Sequence, residues 1–134
     1  MKVFVYYNLH RKLWSVKALE GEHKGKVIAH RYEVVLHKPK PKVSEAGRQR
    51  VLHERRKNVH AGLVGDWLEQ KCIQPDGDLI TYNPYKYTSF VYADNEQPFT
   101  GASLAMMQDS KVYVIWKAKT KKEKQDALRN EKLY

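Results

Sequence analysis

The chain has 134 residues, enough for one domain that buries its own core, and a 42% hydrophobic share with nine tyrosines argues against a disordered protein. Its 25 lysines and arginines against 15 acidic residues give a net charge of +10, which favours an anionic partner without saying which one. Cys72 is the single cysteine, which excludes an internal disulfide and favours a cytosolic protein. No segment approaches the roughly 20 apolar residues that a membrane span needs.

The first forty residues predict strands. MKVFVYY (1–7) carries bulky side chains at odd and even positions, which is typical of a strand covered on both sides, and LWSVKAL (13–19) returns beside it as an antiparallel hairpin. KVIAHRYEVVLHKP (26–39) predicts one long or broken strand. Pro39 and Pro41 are expected to end it, because proline cannot donate to a sheet ladder.

SEAGRQRVLHERRKN (44–58) predicts the one internal helix. Ser44 is a suitable N-cap, and Glu45 suits the positive end of the helix dipole. The basic run 55–57 suits the negative end, and Asn58 can adopt the left-handed exit. Because the apolar stripe is narrow, we expect the helix to lie on a sheet by one edge and to stay mostly wet.

The second half of the chain predicts more strands. They cover 59–73, 79–93 with a kink at Asn83-Pro84, then 102–108 and 111–118 around a turn. Residues 119–134 are lysine-rich and poor in apolar side chains, which predicts a basic C-terminal tail or helix. The pattern as a whole predicts an α+β fold: a mainly antiparallel sheet of about six strands with one internal helix, in a single domain over 1–118.

The sequence lacks the common catalytic motifs. It has no phosphate-binding glycine loop, no dinucleotide fingerprint, no nucleophile elbow and no zinc-protease motif. His23, His30 and His37 recur every seven residues, but an odd spacing on a strand puts His30 and His37 on opposite faces. We therefore expect a protein that is not an enzyme and that holds neither a metal nor a cofactor.

Two stretches suit an anionic, aromatic ligand. The segment 38–57 concentrates lysine and arginine, and the arginine fork binds phosphate bidentately. TYNPYKYTSFVY (81–92) carries aromatic rings that can stack on nucleobases. Both have a plainer interpretation, as a solvated basic helix and as ordinary strand packing. Packing explains Tyr85 less well, because it lies with Pro84 and Lys86 at the kink.

Asp94 and Asn95 add polar groups in a loop, where they either form a plain turn or contact a base edge or ribose hydroxyls. Arginine, an aromatic ring and an Asn or Asp side chain are the minimal set for a nucleotide. The same set serves single-stranded nucleic acid, and composition does not separate the two.

The block KVSEAGRQRVLHERRKNVHAGLVG, followed by TYNPYKYTSFVY, resembles small phage proteins, and more specifically the Thoeris anti-defence sponge proteins. The resemblance covers roughly residues 26–95 and rests on layout more than on a diagnostic motif. Such sponges bind cyclic ADP-ribose-type signals made by bacterial TIR enzymes and sequester them without cleavage. The resemblance therefore implies a non-catalytic protein in the host bacterial cytoplasm, and a homo-oligomer, either a dimer or a hexamer.

The resemblance also implies site residues. The signal would be held between subunits by an arginine, an aromatic stacker and an asparagine, which match Arg31, Tyr85 and Asn95. The basic residue from the partner subunit has no clear counterpart, and Lys111 is the nearest candidate. A second basic site for cyclic oligonucleotides would use Arg56, Lys57 and Lys86, and the basic run itself adds Arg55 as a candidate to bind phosphate. The alternative function is a small basic phage protein that binds nucleic acid.

Overall fold

The computed structural model describes residues 1–56, 58–70 and 77–115. Nine strands form one sheet in which every pair is antiparallel, in the order β3-β2-β1-β5-β4-β8-β9-β6-β7. The elements are β1 Lys2–Asn8, β2 Leu13–Ala18, β3 Val27–Arg31, β4 Glu33–Val43, α1 Glu45–Glu54, β5 Ala61–Leu68, β6 Asp78–Thr81, β7 Val91–Tyr92, β8 Leu104–Gln108 and β9 Lys111–Ile115. Within these ranges no helix is long and apolar enough to cross a membrane.

The predicted α+β fold with about six strands is wrong, because the described residues are sheet-rich, with nine strands and one ten-residue helix. The segment predicted as one long or broken strand at 26–39 is broken into β3 and β4, which lie at different places in the sheet. The segment 79–93, predicted as strand on both sides of a kink, contributes β6 and β7, of only four and two residues. The predicted tail at 119–134 lies outside the described residues.

The sheet is coiled, because one short connection forces it to be. β3 and β4 are four strand positions apart, which in a flat sheet is about 19 Å. Yet only Tyr32 separates Arg31 from Glu33, and two peptide units span at most about 7 Å. The guanidinium carbon of Arg31 lies 5.6 Å from the ring centre of Trp67 on β5, although β2 and β1 intervene in the sheet. Strands β3, β2, β1, β5 and β4 therefore wrap into a partly closed barrel.

Alternation along the strands gives this barrel an apolar inner face. In β1, Val3 and Val5 are fully buried, whereas Phe4 and Tyr6 on the outer face stay partly exposed. One core cluster draws on both halves of the sheet through Val16, Val34, Leu36, Leu63, Phe99, Ala105, Met107, Val112 and Val114. Complete burial of one such aliphatic side chain stabilises by about 1.5–3 kcal/mol, so the core holds the coil closed.

The two prolines do not end β4, contrary to the prediction. The pairing of β4 with β5 shifts register between His37 and Lys40, which marks a bulge at Lys38 and Pro39. Lys38 adopts a left-handed φ of 52° and donates its N–H to the carbonyl of Ser103. Pairing with β8 stops at His37, so Pro41 lies where β4 has a neighbour on one side only. Proline is tolerated there because its missing N–H leaves no ladder bond unmade.

The helix begins as predicted and ends early. The Ser44 hydroxyl accepts the N–H of Gly47 at 3.1 Å, which confirms the N-cap. Arg55, and not Asn58, is the left-handed C-cap, with φ of 53°. Arg48 donates its Nε–H to the carbonyl of Tyr87 at 3.1 Å, which ties the helix to the loop between β6 and β7. The exposed basic end of α1 follows from this early stop.

Gly62 lies where β5 and β1 approach closely. A β-carbon at this position would be 2.3 Å from the carbonyl oxygen of Val5 and 2.7 Å from the ring of Phe4. Both distances are shorter than any van der Waals contact, so the close crossing of these strands requires glycine.

Replacing Gly62 with alanine should therefore lower the free energy of unfolding by about 1–3 kcal/mol, the usual cost of overpacking. Urea unfolding followed by circular dichroism measures the change. Thr100→Ala at an exposed position is the matched control and should stay within about 0.5 kcal/mol of the parent. Equal unfolding midpoints for Gly62→Ala and the parent would show that the two strands are not packed as described.

Candidate functional site

Three chain turns meet at one end of the barrel and enclose a cleft of about 290 Å³. We call it the mouth cleft. Its lining comes from β1 and β2, from the corner between β3 and β4, and from the β8–β9 turn, and it consists of Tyr7, Lys12, Trp14, Tyr32, Asp109 and Ser110. The coil of the sheet brings these turns together, since β8 is far from β2 in the strand order.

The β1–β2 connection fixes the position of Lys12. The side-chain oxygen of Asn8 accepts the N–H groups of His10 at 3.1 Å and Arg11 at 3.0 Å. The N–H of Lys12 donates to the carbonyl of Asn8 at 2.7 Å, and Lys12 itself has a left-handed φ of 56°. A closed turn of this kind holds the backbone from which the ammonium group reaches the cleft.

The β8–β9 turn forms another wall, and it is conformationally unusual. Asp109 and Ser110 both have positive φ, at 51° and 63°, as in a type I′ hairpin turn. Such turns favour Asn-Gly, because other residues are strained with positive φ. The Tyr32 hydroxyl donates a hydrogen bond to the Asp109 carboxylate, which ties this turn to the β3–β4 corner.

The floor of the cleft is aromatic. The rings of Tyr7 and Trp14 meet edge to face with centroids 5.1 Å apart and planes at 69°. Trp14 is only 5% exposed, and its indole N–H has no hydrogen-bond partner among the described residues. A buried donor without a partner is costly, so this N–H is an exception among the polar groups of the described residues.

The lining carries one charge of each sign, Lys12 and Asp109. Arg31 and Lys111 adjoin the lining residues Tyr32 and Ser110 in the chain, and the Arg31 guanidinium lies over the ring of Trp67. The hydrogen bond to Asp109 raises the pKa of Tyr32, with burial and the charges of Asp109 and Glu33 adding to the effect. Tyr32 therefore stays a neutral donor at physiological pH.

The predicted site residues divide between two regions. Arg31 ends β3 and Lys111 begins β9, so each is next in sequence to a residue that lines the mouth cleft, although neither lines it. Tyr85, Lys86 and Asn95 lie in the loops around β7, which Tyr87 links by donating its hydroxyl to Glu96. Tyr85 is 61% exposed. The side-chain oxygen of Asn95 accepts the N–H of Gln97 at 2.9 Å, so it already forms its own turn.

The basic residues of the helix share no described contact with the mouth cleft or with Tyr85, Lys86 and Asn95. Arg55 and Arg56 are exposed at the C-terminal end of α1, whereas Arg48 holds the other half of the helix to the Tyr87 carbonyl. Lys57 lies outside the described residues. No contact between described residues joins the cations predicted to hold phosphates, and none of them lines the mouth cleft.

Sequence reasoning missed most of the cleft. Tyr7 and Trp14 read as ordinary strand aromatics, and Lys12 as a turn residue. Their convergence depends on the β3–β4 corner, which brings Tyr32 to the same end. The one signal in the sequence was Asp109-Ser110, two non-glycine residues at a two-residue hairpin turn that usually favours Asn-Gly. The structure shows that both residues have positive φ, which marks a strained position of the kind found at functional sites.

A second polar contact, on the outer side of the sheet, joins Ser15 and His30. The Ser15 hydroxyl and His30 Nδ1 are 2.9 Å apart, and Asn8 donates to the same hydroxyl at 3.4 Å. Ser15 is fully buried, so this contact satisfies polar groups and presents no accessible nucleophile. Over the ranges that the structure describes, no three His, Cys, Asp or Glu side chains are grouped to hold a metal ion.

Comparison with known proteins places the chain among phage proteins. The family model described as Mycobacterium phage L5 gene 82 protein matches residues 1–115. The gene 82 protein of Mycobacterium phage L5 is 46% identical over 118 residues, covering 84% of this chain and 94% of the relative. No solved structure matches. The resemblance to sponge proteins stays a prediction.

The contact between Tyr32 and Asp109 can be tested by titration. The raised pKa means that the phenol's hydrogen bond is present below pH 10 and is lost as pH rises through the higher folded-state pKa. In a phenolate absorbance titration, Tyr32→Phe should remove a component that titrates above pH 10, and Asp109→Asn should move that component to lower pH.

Tyr87 and Glu96 provide the matched control, because Glu96 raises the pKa of Tyr87 in the same way. Glu96→Gln should lower the pKa of Tyr87 and leave the Tyr32 component in place. If Asp109→Asn leaves the titration curve unchanged, then the hydrogen bond that closes this side of the cleft is absent in solution.

Proposed function

The chain belongs to the Mycobacterium phage L5 gene 82 protein family, and we propose that this phage protein binds a cyclic nucleotide immune signal in the mouth cleft and sequesters it. The signal is of the cyclic ADP-ribose type or a cyclic oligonucleotide. The protein acts in the host cytoplasm, without catalysis and without a cofactor, as a homo-oligomer.

The observation that carries the proposal is the unpartnered indole N–H of Trp14 in a cleft that Lys12 also lines. Trp14 is nearly inaccessible, yet its donor finds no acceptor among the described residues of the chain. An acceptor atom of a base or a phosphate oxygen completes it once the side chains around the indole edge move aside. Lys12 supplies a charge for phosphate, and Arg31 and Lys111, next in sequence to the lining, extend their side chains to the same ligand.

The remaining side chains fit the other parts of a nucleotide. Tyr32 is 54% exposed, so its ring has a face available for a base to stack on. The Asp109 carboxylate can accept ribose hydroxyls through the oxygen that Tyr32 does not occupy. At about 290 Å³ the cleft suits one nucleoside-sized moiety, so a cyclic signal extends beyond it. A second copy of the chain can cover that remainder, as the sponge resemblance implies.

The lining favours binding over chemistry. Its six side chains include no histidine or cysteine, and among the described residues no hydrogen bond joins the Ser110 hydroxyl to a base. Sequestration needs affinity and slow release and no reacting group. Arg55, Arg56 and Lys86, which are exposed, remain the proposed second site for cyclic oligonucleotides.

Purified protein incubated with cyclic ADP-ribose isomers or cyclic dinucleotides should melt at a higher temperature, because ligand binding stabilises the folded state. Heat denaturation should then release the ligand intact, as chromatography and mass spectrometry can establish. Recovery of hydrolysed product alone would contradict sequestration. The absence of a melting shift with every such ligand would contradict nucleotide binding at the cleft.

Variants locate the site in the same experiment. Lys12→Gln and Tyr32→Leu should each weaken binding about 10-fold or more, since a contact to a charged group contributes about 1.5–3 kcal/mol. Lys24→Gln is the matched control, because Lys24 is exposed in the β2–β3 loop at the other end of β2. Lys86→Gln should weaken cyclic oligonucleotides but not cyclic ADP-ribose. Equal loss with Lys24→Gln would show that only net charge is being measured.

A further inference from the structure

The outer face of the barrel carries a row of side chains that runs across four strands. Lys17 on β2 pairs with Phe4 on β1, Phe4 pairs with Val64 on β5, and Val64 pairs with Lys40 on β4. Paired residues in an antiparallel sheet point to the same face, so these four side chains form one outward row. Lys42 and Tyr6 follow two residues further along their strands and therefore lie on the same face.

Two aromatic rings form the centre of this outer face. The rings of Phe4 and Tyr6 have centroids 5.9 Å apart and planes inclined by 35°. Gly62 has no side chain, which leaves room for the Phe4 ring beside β5. Both rings stay partly exposed, whereas their neighbours Val3 and Val5 in β1 are buried. The rings are therefore held in place and still open to a partner.

Lysines flank the rings on both sides. Lys40 and Lys42 are exposed on β4, and the Lys42 ammonium lies 5.8 Å from the centre of the Phe4 ring. Lys17 lies on the opposite side, on β2. Three strand spacings separate β2 from β4, about 14 Å, so the cations border a narrow aromatic strip. Asp66 is on the same face, further along β5, in register with Lys2 and His37.

We propose that this outer face binds single-stranded nucleic acid. Unpaired bases stack on Phe4 and Tyr6, and the lysines on either side contact the phosphates. Stacking of this kind tolerates any base, and the lysines supply a salt-dependent attraction that likewise does not depend on sequence. A duplex is a poor fit, because its bases are already stacked and paired. The 25 lysines and arginines of the chain agree with such a partner.

The outer face and the mouth cleft are independent sites. Tyr7 and Trp14 belong to the inner rows of β1 and β2, whereas Phe4, Tyr6 and Lys17 belong to the outer rows. Substitutions on one side therefore leave the other side's contacts in place. The two sites are also tested with different ligands, so one can fail while the other stands.

Fluorescence anisotropy with labelled oligo(dT), oligo(U) and a duplex of equal length, at several salt concentrations, tests the proposal. We expect both single strands to bind more tightly than the duplex. Lys40→Gln and Lys42→Gln should each lower the slope of log K against log salt by about 0.7, the value for one phosphate contact on a single strand. Lys24→Gln, which removes the same charge in the β2–β3 loop, should leave the slope unchanged.

The aromatic part is tested with Phe4→Leu and Tyr6→Leu. Each should weaken single-strand binding about 5- to 150-fold, since stacking contributes about 1–3 kcal/mol per base. Unfolding curves check that these variants fold, and the lysine variants test the same face if they do not. The proposal is overturned if the duplex binds as tightly as the single strands, or if the lysine variants keep the parent's slope. Tighter binding of one of the two oligomers identifies RNA or DNA as the preferred strand.

Discussion

The connection between β3 and β4 constrains the rest of the molecule. Arg31 and Glu33 are separated by Tyr32 alone, yet their strands are four positions apart in the sheet. The sheet has to coil to meet that limit, since the backbone cannot stretch across it. Coiling makes an inside, where valines and leucines pack, and an outer face on which Phe4 and Tyr6 stay partly exposed. It also brings Tyr32 to the end where the β1–β2 and β8–β9 turns lie.

The local elements were largely predictable, and their arrangement was not. Alternation and turn residues located the first hairpin, the β8–β9 hairpin and the Ser44 cap, because these depend on neighbours in the chain. The number of strands was wrong, because the segments predicted as strand at 26–39 and 79–93 each contribute two separate strands to the sheet. The prediction that Pro39 and Pro41 end the strand was wrong, because β4 accommodates prolines where its pairing with β8 has stopped. That point is set by the tertiary structure and cannot be seen in the local sequence.

The candidate sites show the same division. Charge and aromatic content pointed to an anionic, aromatic ligand, and composition is enough for that. Which residues converge depends on strand order and register. Trp14 and Lys12 gave no sign of their role, because their neighbours in space are Tyr32 and Asp109, distant in sequence. Arg31 and Lys111 are next in sequence to residues that line the cleft, whereas the side-chain oxygen of Asn95 accepts a hydrogen bond within its own turn.

The two-sided pairing of β4 has a consequence for how the chain is made. Its pairing with β5 is complete once Leu68 is synthesised, but its pairing with β8 waits for Met106 and Met107. Until β8 has been synthesised, the apolar stretch Val34 to Leu36 of the nascent chain has one strand edge without a partner. Prolines and lysines directly follow this stretch, and such residues discourage another chain from adding to an open edge. The Lys-Pro repeat of β4 therefore opposes aggregation of the nascent chain, before β8 is available to pair with the strand.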